Sequence, residues 1–395
     1  MSNLPAGYKQ TEVGVIPEDW ELKRLGEIVE KFVNGGTPST KNEALWNGNI
    51  PWITGADILN QKVTEIRRHI TTDAVKNSST NVISKGNLLL VSRTGVGKLA
   101  IAPFDIAISQ DFTGIYPKKE SLLAEYLFRF FDFNQSLLKS QNQGTSIQGV
   151  TRETLSALSI PLPTKAEQTA IAAALSDADA LIQSMEKLIA KKRLIKQGAM
   201  QKLLKPKEGW VVKKLGEIAF FTNGKAHEQF IDDAGDYIVV NSKFISTEGE
   251  VFKNASISLC PLNIGGITMV MSDIPNGKAL AKCFIIPKSG KYTLNQRICA
   301  LRTETLDTIF LTFVINRNKY FLAFDSGTGQ TNLKKQDVLE CPINLPPTKK
   351  EQIAIAKVLC DMDAEISVLE TKLAKYKQVK QGMMQELLTG RTRLV

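Results

Sequence analysis

The sequence is poor in the residues that build metal centres, catalytic triads and disulfide frameworks. Among 395 residues there are two histidines, His69 and His227, and five cysteines without a CxxC spacing. Too few ligands or bases are therefore available for a zinc site or a Cys–His triad. The odd cysteine count and the lack of a signal-like N-terminus predict reduced thiols in a cytoplasmic protein. The thiols belong to Cys260, Cys283, Cys299, Cys341 and Cys360.

Long apolar runs and enzyme motifs are also missing. No stretch of about 18 uncharged apolar residues occurs, so no membrane span is predicted. Residues 92–100 (SRTGVGKLA) imitate a phosphate-binding loop, but Lys98 is followed by Leu99 instead of Ser or Thr. A tight glycine turn between strands is the better interpretation. Without a GxGxxG after a strand, an NPPF or NPPY segment or a nuclease-like carboxylate cluster, we expect a binding protein with no metal or cofactor of its own.

The composition is that of a globular chain with a basic excess. Apolar residues make up 43% and charged residues 23%, and the length allows two or three domains. The net charge is +10 and the isoelectric point about 9.2. This charge permits a polyanionic partner such as nucleic acid but does not by itself establish one.

One long segment of the chain is present twice. Residues 163–204 and 347–388 align without a gap, and 23 of 42 positions are identical. Such self-similarity at a long period indicates a duplicated architecture and not chance. The segments therefore have the same predicted structure.

Each copy predicts one long helix. Thr164 and Thr348 are candidate N-caps, and Glu167 and Glu351 complete predicted capping boxes. About 40 residues would form a rod of roughly 60 Å. The simplest partner for its narrow apolar stripe is the other copy, in an antiparallel coiled coil; packing of each helix on its own domain or on another protein is the alternative. The stripe consists of Ile171, Leu175, Ala178, Ile182, Met185 and Ile189, and of Ile355, Leu359, Met362, Ile366, Leu369, Leu373 and Tyr376.

The repeat continues into the flanking segments, so the chain alternates globular unit, helix, globular unit, helix. Trp20 and Trp210 each open a WxxxxLGEI segment, and an Asn-Gly turn signal follows each at residues 34–35 and 223–224. Apolar runs such as NLLLVS, ITMVMS and CFIIP predict strands, and LLAEYLFRFFDF and TIFLTFVINRNKYFLAF predict short helices. We predict an α+β fold with pseudo-twofold symmetry: globular domains at 1–160 and 206–344, and helical segments at 161–205 and 345–395.

Polar, glycine-containing loops are the candidate binding surface. Asn and Gln pair with adenine, Arg and Lys with guanine, and Ser, Thr and Lys with phosphate. Loops of this kind are also ordinary protein surface, and only their recurrence at matching positions of both units favours binding. In the first unit the candidates are Thr37, Ser39, Lys41, Arg93, Thr94, Lys98, Gln110, Gln143, Thr145, Gln148 and Arg152. In the second unit they are Lys225, Lys243, Asn276, Lys278, Gln296, Arg297, Thr328, Gln330, Asn332 and Lys334.

The doubled PTKxEQxAIAxxLxDxDA and KQGxMQxLL segments, the WxxxxLGEI openings and NGGTPST…WNGNIPWITGADI resemble the specificity subunits of type I restriction–modification systems. The resemblance covers almost the whole chain, although the second unit departs from the GGTPST…IPWI pattern. It implies two target recognition domains, each reading one half of a bipartite double-stranded DNA site, and a helical spacer between them. It also implies two docked modification subunits that use S-adenosylmethionine, and restriction subunits that use ATP and Mg²⁺.

Two other classes of function compete with this hypothesis. A coiled-coil scaffold that binds only proteins would show no DNA affinity that depends on salt and duplex sequence. A stand-alone enzyme would methylate DNA unaided, against which the missing methyltransferase and ATPase motifs argue.

Overall fold

The computed structural model describes residues 4–140, 149–275 and 277–394 and contains two compact units. The first unit is formed by Met1–Lys187 and Thr371–Val395, and the second by Leu188–Glu370. Both long helices are therefore divided between the units. The four-segment division at residues 160, 205 and 344 stays a prediction.

The elements from the N-terminus to the end of the first long helix are mixed α and β. The strands are β1 (Tyr8–Thr11), β2 (Gly14–Pro17), β3 (Glu21–Arg24), β4 (Val29–Asn34), β5 (Trp46–Ile53), β6 (Ile58–Leu59), β7 (Lys62–Val63), β8 (Arg68–Ile70), β9 (Asn81–Ile83), β10 (Leu88–Val91), β11 (Leu99–Ile101), β12 (Ile106–Ile108), β13 (Phe112–Pro117) and β14 (Ser159–Leu162). The helices are α1 (Leu25–Ile28), α2 (Thr72–Lys76), α3 (Ala124–Phe133), α4 (Gln135–Ser140), α5 (Arg152–Ala157) and α6 (Lys165–Leu203).

The remaining elements repeat this mixture and end in the second long helix. The strands are β15 (Val211–Lys214), β16 (Phe220–Asn223), β17 (Tyr237–Val240), β18 (Asn254–Ala255), β19 (Ile267–Val270), β20 (Ser272–Asp273), β21 (Cys283–Ile285), β22 (Tyr292–Leu294), β23 (Ile298–Arg302), β24 (Thr331–Asn332) and β25 (Pro342–Leu345). The helices are α7 (Leu215–Ile218), α8 (Ser242–Ser246), α9 (Thr308–Ile315), α10 (Lys319–Leu322), α11 (Lys335–Leu339) and α12 (Lys349–Leu388).

The two units share a sheet framework, although the second sheet has four strands, β8-β5-β12-β9, in the first unit and three, β18-β17-β22, in the second. The antiparallel sheet β11-β10-β13-β4 of the first unit corresponds to β21-β19-β23-β16 of the second. A second sheet holds one parallel pair in each unit, β5 with β12 and β17 with β22. The ribbons β3–β14 and β15–β25 correspond as well. The repeat predicted from the ends of the units therefore includes their interiors, where the sequences differ.

The predicted strands and short helices are present. All of β10 and β19 is buried, as expected for the NLLLVS and ITMVMS runs. Helices α3 and α9–α10 lie within the two segments that were predicted helical. The cores are built mainly of aliphatic and aromatic side chains, and Trp20 is 1% exposed in a cluster that includes Ile171 and Leu175 of α6.

The Asn-Gly dipeptides do not form the predicted turns. Both glycines instead leave an edge strand at a place where two backbones touch. A Cβ on Gly35 would lie 2.1 Å from the Ser109 oxygen, and one on Gly224 would lie 1.8 Å from the Asn295 oxygen. Close backbone approach, and not a left-handed turn conformation, therefore requires glycine at these positions.

The two long helices form the predicted antiparallel coiled coil. In the first unit Glu186 and Asp179 of α6 pair with Lys377 and Lys380 of α12, each at 2.7 Å. Residue numbers fall along one helix as they rise along the other, so the two helices are antiparallel. In the second unit the corresponding pairs are Arg193–Glu370 and Lys196–Asp363, and Lys192–Glu365 is an additional pair without a counterpart in the first unit. Met185, Ile189 and Ile366 of the stripe are at most 8% exposed. Ile171, Leu175, Ile355 and Leu359 are buried in the cores of the globular units, so the first turns of each helix also pack on its own domain, as the alternative expected.

The predicted capping boxes are half right. The Thr164 and Thr348 hydroxyls accept hydrogen bonds from the N–H groups of Glu167 and Glu351, at 3.3 and 3.2 Å. The carboxylate of Glu167 does not bond back to its cap, because burial places it against other partners. It accepts from Trp20 Nε1 at 3.0 Å and from Arg393 Nε at 2.6 Å.

The glutamine that follows each glutamate ties its helix to a globular unit. Gln168 is fully buried, and its side-chain oxygen accepts the Leu123 N–H at 2.8 Å, just before α3. Gln352 accepts the Asp307 N–H at 3.0 Å, at the start of α9. The repeated glutamine therefore ties each helix to its own globular unit, whereas Glu167 is buried and Glu351 instead pairs with Lys207 at 3.6 Å.

Candidate nucleic-acid interface

Three loops of the first unit meet at one end of its antiparallel sheet. We call residues 92–94, 109–111 and 149–152 loop cluster 1. The Ser92 N–H donates to the Asp111 carbonyl at 2.8 Å, and the Ser92 carbonyl accepts from the Val150 N–H at 2.7 Å. Backbone hydrogen bonds thus join segments that lie far apart in the sequence.

Loop cluster 1 borders a polar cavity of about 440 Å³. Arg93, Gln110 and Arg152 line it, all three exposed, so the structure brings together three residues predicted from sequence. Glu153 lies beside them; a bond from its own backbone N–H and one from the Thr151 hydroxyl lower its pKa. The cavity therefore presents two guanidinium groups, the amides of Asn34 and Gln110, and one ionised carboxylate, a set of donors and acceptors that suits base edges.

The glycine turn predicted at residues 92–100 is present between β10 and β11. Gly95 and Gly97 have φ of +92° and +98°, which other residues rarely adopt. The turn exposes Arg93 and Thr94. Lys98 is held differently, because its ammonium donates to the Gly55 carbonyl at 2.8 Å.

The second unit repeats this framework with different side chains. We call residues 271–275, 295–297 and 330–334 loop cluster 2. The Met271 N–H donates to the Arg297 carbonyl at 2.9 Å, and the Leu333 N–H donates to the Met271 carbonyl at 2.8 Å. These bonds match those of Ser92, and Gln296 consequently occupies the position of Gln110.

Loop cluster 2 adjoins a cavity of about 420 Å³. Lys243, Gln296 and Arg297 line it together, and all three are exposed. The Gln296 amide donates to Glu228 at 2.8 Å. Arg297 has φ of +67°, an unfavourable conformation for a residue with a Cβ and one that is often found at functional sites.

The backbone of Lys225 is fixed next to Gln296, which lines this cavity. Its carbonyl accepts from the Gln296 N–H at 3.0 Å and from Nδ1 of His227 at 2.7 Å. His227 is buried, and its Nε2 accepts from the Leu259 N–H at 3.2 Å. Since a carbonyl can only accept, the ring is the neutral Nδ1–H tautomer, and its function is structural.

Among the remaining predicted residues, Gln330, Asn332 and Lys334 belong to loop cluster 2, and Thr37, Ser39, Lys41, Lys278 and Thr328 lie outside both loop clusters. Gln330 donates to the Ser272 hydroxyl at 2.7 Å, and Asn332 pairs with Ser272 across β20 and β24. Six more have a side chain that is exposed or half-buried: Thr37, Ser39, Lys41, Lys278, Thr328 and Lys334. Four lie outside the described residues: Gln143, Thr145, Gln148 and Asn276.

Sequence reasoning missed Ile274 at the edge of loop cluster 2. Its side chain is 68% exposed although the backbone is firmly held. Asp273 accepts from the N–H groups of Ile274, Ala279 and Leu280 at 2.9, 2.7 and 3.0 Å. Asp273 followed by the IPNG segment was the available signal, since Asp commonly bonds to nearby backbone in turns.

Sequence reasoning also missed Trp46, Arg68 and His69 in the first unit. They line a separate cavity of about 580 Å³ beside strand β8. The two tryptophans of WNGNIPW were the signal. Among residues 4–140, 149–275 and 277–394 there is no group of three or more His, Cys, Asp and Glu that could hold a metal, and no helix long and apolar enough to cross a bilayer.

Comparison with known proteins gives one consistent result. The family model "Type I restriction modification DNA specificity domain" matches residues 17–191 and 207–378. The MjaIX specificity subunit of a type I restriction enzyme from Methanocaldococcus jannaschii is 30% identical over 315 residues, 74% of this chain and 71% of that protein. The MjaVIII specificity subunit of the same organism is 26% identical over 96% of this chain and 94% of its own length.

A solved structure agrees in fold. The S subunit of a type I restriction–modification system from M. genitalium has a TM-score of 0.58 at 16% identity, covering 93% of this chain and 96% of that one. At that identity the match establishes the fold alone. Since the family model covers most of the chain in two consecutive matches, this protein belongs to the family of type I restriction–modification DNA specificity subunits.

Proposed function

We propose that each unit reads one half of a bipartite, asymmetric DNA site through its loop cluster. The observation that carries the proposal is the shared framework with different side chains. Ser92 and Met271 make the same backbone bonds, yet the neighbouring positions are Arg93 in one unit and Ser272 in the other. A constant frame with variable reading groups is what recognition of two different half-sites requires.

Specific roles follow from side-chain chemistry. Gln110 and Gln296 are suited to adenine and Arg93 and Arg297 to guanine, by bidentate hydrogen bonds in the major groove. Ile274 is suited to the thymine methyl group, because it is apolar, exposed and mounted on a fixed loop. Lys243, which is exposed and lines the cavity beside loop cluster 2, contacts a phosphate.

The coiled coil sets the spacing between half-sites and docks two modification subunits. Equivalent ion pairs in the two units support two similar docking sites, and a stiff helical pair avoids the entropy cost of a flexible linker. S-adenosylmethionine belongs to the modification subunits, and ATP and Mg²⁺ to the restriction subunits. This chain contributes no catalysis.

Sequencing methylated adenines in cells with and without the gene tests the proposal. A bipartite motif should disappear on deletion, and a deletion that removes no motif would refute it. Inserting four residues into one long helix should change the gap and leave both half-sites intact; an unchanged gap would refute the spacer role. Purified chain given S-adenosylmethionine alone should methylate nothing.

A further inference from the structure

A second cavity of the first unit lies away from loop cluster 1, against strands β5 and β8. It measures about 580 Å³. We call it the Trp46 pocket, after the half-buried indole that forms one wall beside Arg68 and His69. Nothing in the proposed reading of bases through loop cluster 1 uses these residues.

Two indoles hold the Arg68 guanidinium. Trp46 and Trp52 meet edge to face, with ring centroids 5.2 Å apart and planes at 89°. The guanidinium carbon lies 5.9 Å from the Trp46 ring and 5.7 Å from the Trp52 ring. Such cation–π contacts orient the planar group while leaving its N–H edge available.

The strand is distorted where it carries Trp46. Trp46 and Ile50 both pair with Ile70, which makes a bulge in β5. Within the bulge Asn47 has φ of +65°, and a Cβ on Gly48 would lie 2.2 Å from the Ile70 oxygen. Bulges redirect side chains and, like left-handed non-glycine residues, concentrate near functional sites.

The pocket presents hydrogen-bond donors that no carboxylate of the described residues binds. Arg67 is neutralised by the buried Asp57, with 2.6 Å between Nε and Oδ1. Arg68 has no carboxylate partner among the residues that the structure describes, and His69 is exposed beside it. Glu43 is the only carboxylate among the described residues that line the cavity. The exposed donors are therefore in excess.

Hydrogen bonds tie the indoles of the pocket to the segment that leads to loop cluster 1. Trp46 Nε1 donates to the Ser39 carbonyl and Trp52 Nε1 to the Gly36 carbonyl, each at 3.1 Å. The Gly36 N–H donates to the Ile108 carbonyl at 3.0 Å, next to residues 109–111 of loop cluster 1. The NGGTPST segment thus runs from loop cluster 1 over both indoles.

We infer that the Trp46 pocket binds a DNA phosphodiester outside the bases read by loop cluster 1. Arg68 donates to the phosphate with its oriented guanidinium edge, and His69 donates beside it. Phosphate is favoured over a base because the free groups are N–H donors, and the permanently charged Arg68 guanidinium among them matches the phosphate charge and carries no sequence information. The inference rests on the proposed DNA-reading function. It adds a phosphate contact to that function in the first unit only.

The second unit offers a matched control. Its Val239 N–H donates to the Lys253 carbonyl at 2.9 Å, so Lys253 holds the register position of Arg68. Val239 stands where the first unit has Trp52, so no indole is present there. Lys253→Ala therefore removes one exposed positive charge at the equivalent position, where no cation is held against indole rings.

Affinity of the full-length chain, with and without its modification subunit, tests the inference. The probes are a duplex carrying the methylated motif and one with that motif scrambled, titrated across KCl concentrations. We expect Arg68→Ala to weaken both duplexes alike, by roughly three- to tenfold, and to reduce the salt slope by about one. Lys253→Ala should leave affinity and slope nearly unchanged, and the methylated motif should be the same in all variants.

A phosphate scan locates the contact. Replacing single phosphates by uncharged methylphosphonates should reveal one position that weakens the wild type and not Arg68→Ala. His69→Ala leaves the contact of Arg68 with the two indoles intact and should weaken affinity for both duplexes to a smaller extent. This variant tests the inference if Arg68→Ala fails to fold. Wild-type affinity in both variants, an altered motif or no such phosphate would each overturn the inference. A gene deletion that removes no methylated motif would instead refute the proposed function.

Discussion

Asp179 of α6 and Lys380 of α12 form an ion pair with 2.7 Å between Oδ1 and Nζ in the first unit. The second unit contains the same pair with the helices exchanged, since Asp363 of α12 pairs with Lys196 of α6. Each residue and its counterpart differ by 184 in number, the period of the repeat. The sequence duplication is therefore realised as reciprocal contacts, and each helix supplies the acid in one unit and the base in the other.

The Asp179 pair predicts a pH-dependent contribution to stability. Burial raises the pKa of Asp179, but hydrogen bonds from Lys380 and Arg129 outweigh this and hold it below the ordinary 3.8. The contribution is thus complete above that value and is lost as pH falls through the lowered pKa. Asp179→Asn should lower the free energy of unfolding by about 1–2 kcal/mol at pH 7. Urea titrations at pH 7 and below pH 4 measure this, and the difference between variants should shrink at the lower pH. An equal loss from the exposed Asp177→Asn would contradict the assignment.

The C-terminal tail should stabilise the first unit through one arginine. Arg393 donates to both oxygens of Glu167, which is fully buried, and to Asp19. Arg393→Ala leaves a buried carboxylate without its cation, so we expect a loss of about 2–4 kcal/mol in thermal or urea unfolding.

The neighbouring Arg391 provides the control for the tail. It lies 3.9 Å from Glu386 with its side chain 59% exposed, so Arg391→Ala should cost less than about 0.5 kcal/mol. Adding Glu167→Gln to Arg393→Ala should recover part of the loss, because the amide carries no charge. Equal effects of Arg391→Ala and Arg393→Ala would exclude the proposed role.

The equivalent glutamines should affect different halves of the DNA site. Gln110→Ala is expected to relax one base position in the half-site of the first unit, and Gln296→Ala one in that of the second. The cost against the preferred base should be about 1–3 kcal/mol. Methylated-adenine sequencing together with binding to base-substituted duplexes measures both. Relaxation in the same half-site by both variants would contradict the assignment of one unit to one half.

The proposed contact of Ile274 with a thymine can be tested by removing a single methyl group from the DNA. Replacing thymines of the second half-site one at a time by deoxyuridine should weaken the wild type at one position, by about 1 kcal/mol, and leave Ile274→Ala unaffected there. Ile264 is the matched control, since it is 67% exposed in the same unit but lies outside loop cluster 2. If Ile264→Ala changes the deoxyuridine profile as much as Ile274→Ala does, the contact is refuted.

Much of the fold could be predicted from periodicity. The long helices, their apolar stripe and the buried strands β10 and β19 are local patterns that burial enforces directly. The second half of the capping box failed for a nonlocal reason. Glu167 has the right spacing for its cap, but Trp20 and Arg393, distant in sequence, bind its carboxylate. The prediction of Asn-Gly turns failed because each glycine is required by the close approach of a neighbouring backbone.

The sequence by itself determined the duplication, the antiparallel helices and the polar loops, because repeats, periodicity and residue chemistry are properties of the chain order. Only the tertiary structure decided which loops share a surface. Arg93 and Gln110 meet because β10 pairs with β13, and Arg152 joins them because the Val150 N–H bonds to the Ser92 carbonyl. Gln110 corresponds to Gln296 through hydrogen bonds that the divergent loop sequences do not reveal. The cation–π contact of Arg68 with two indoles likewise depends on the register of β5 against β8, which is set by packing and not by local sequence.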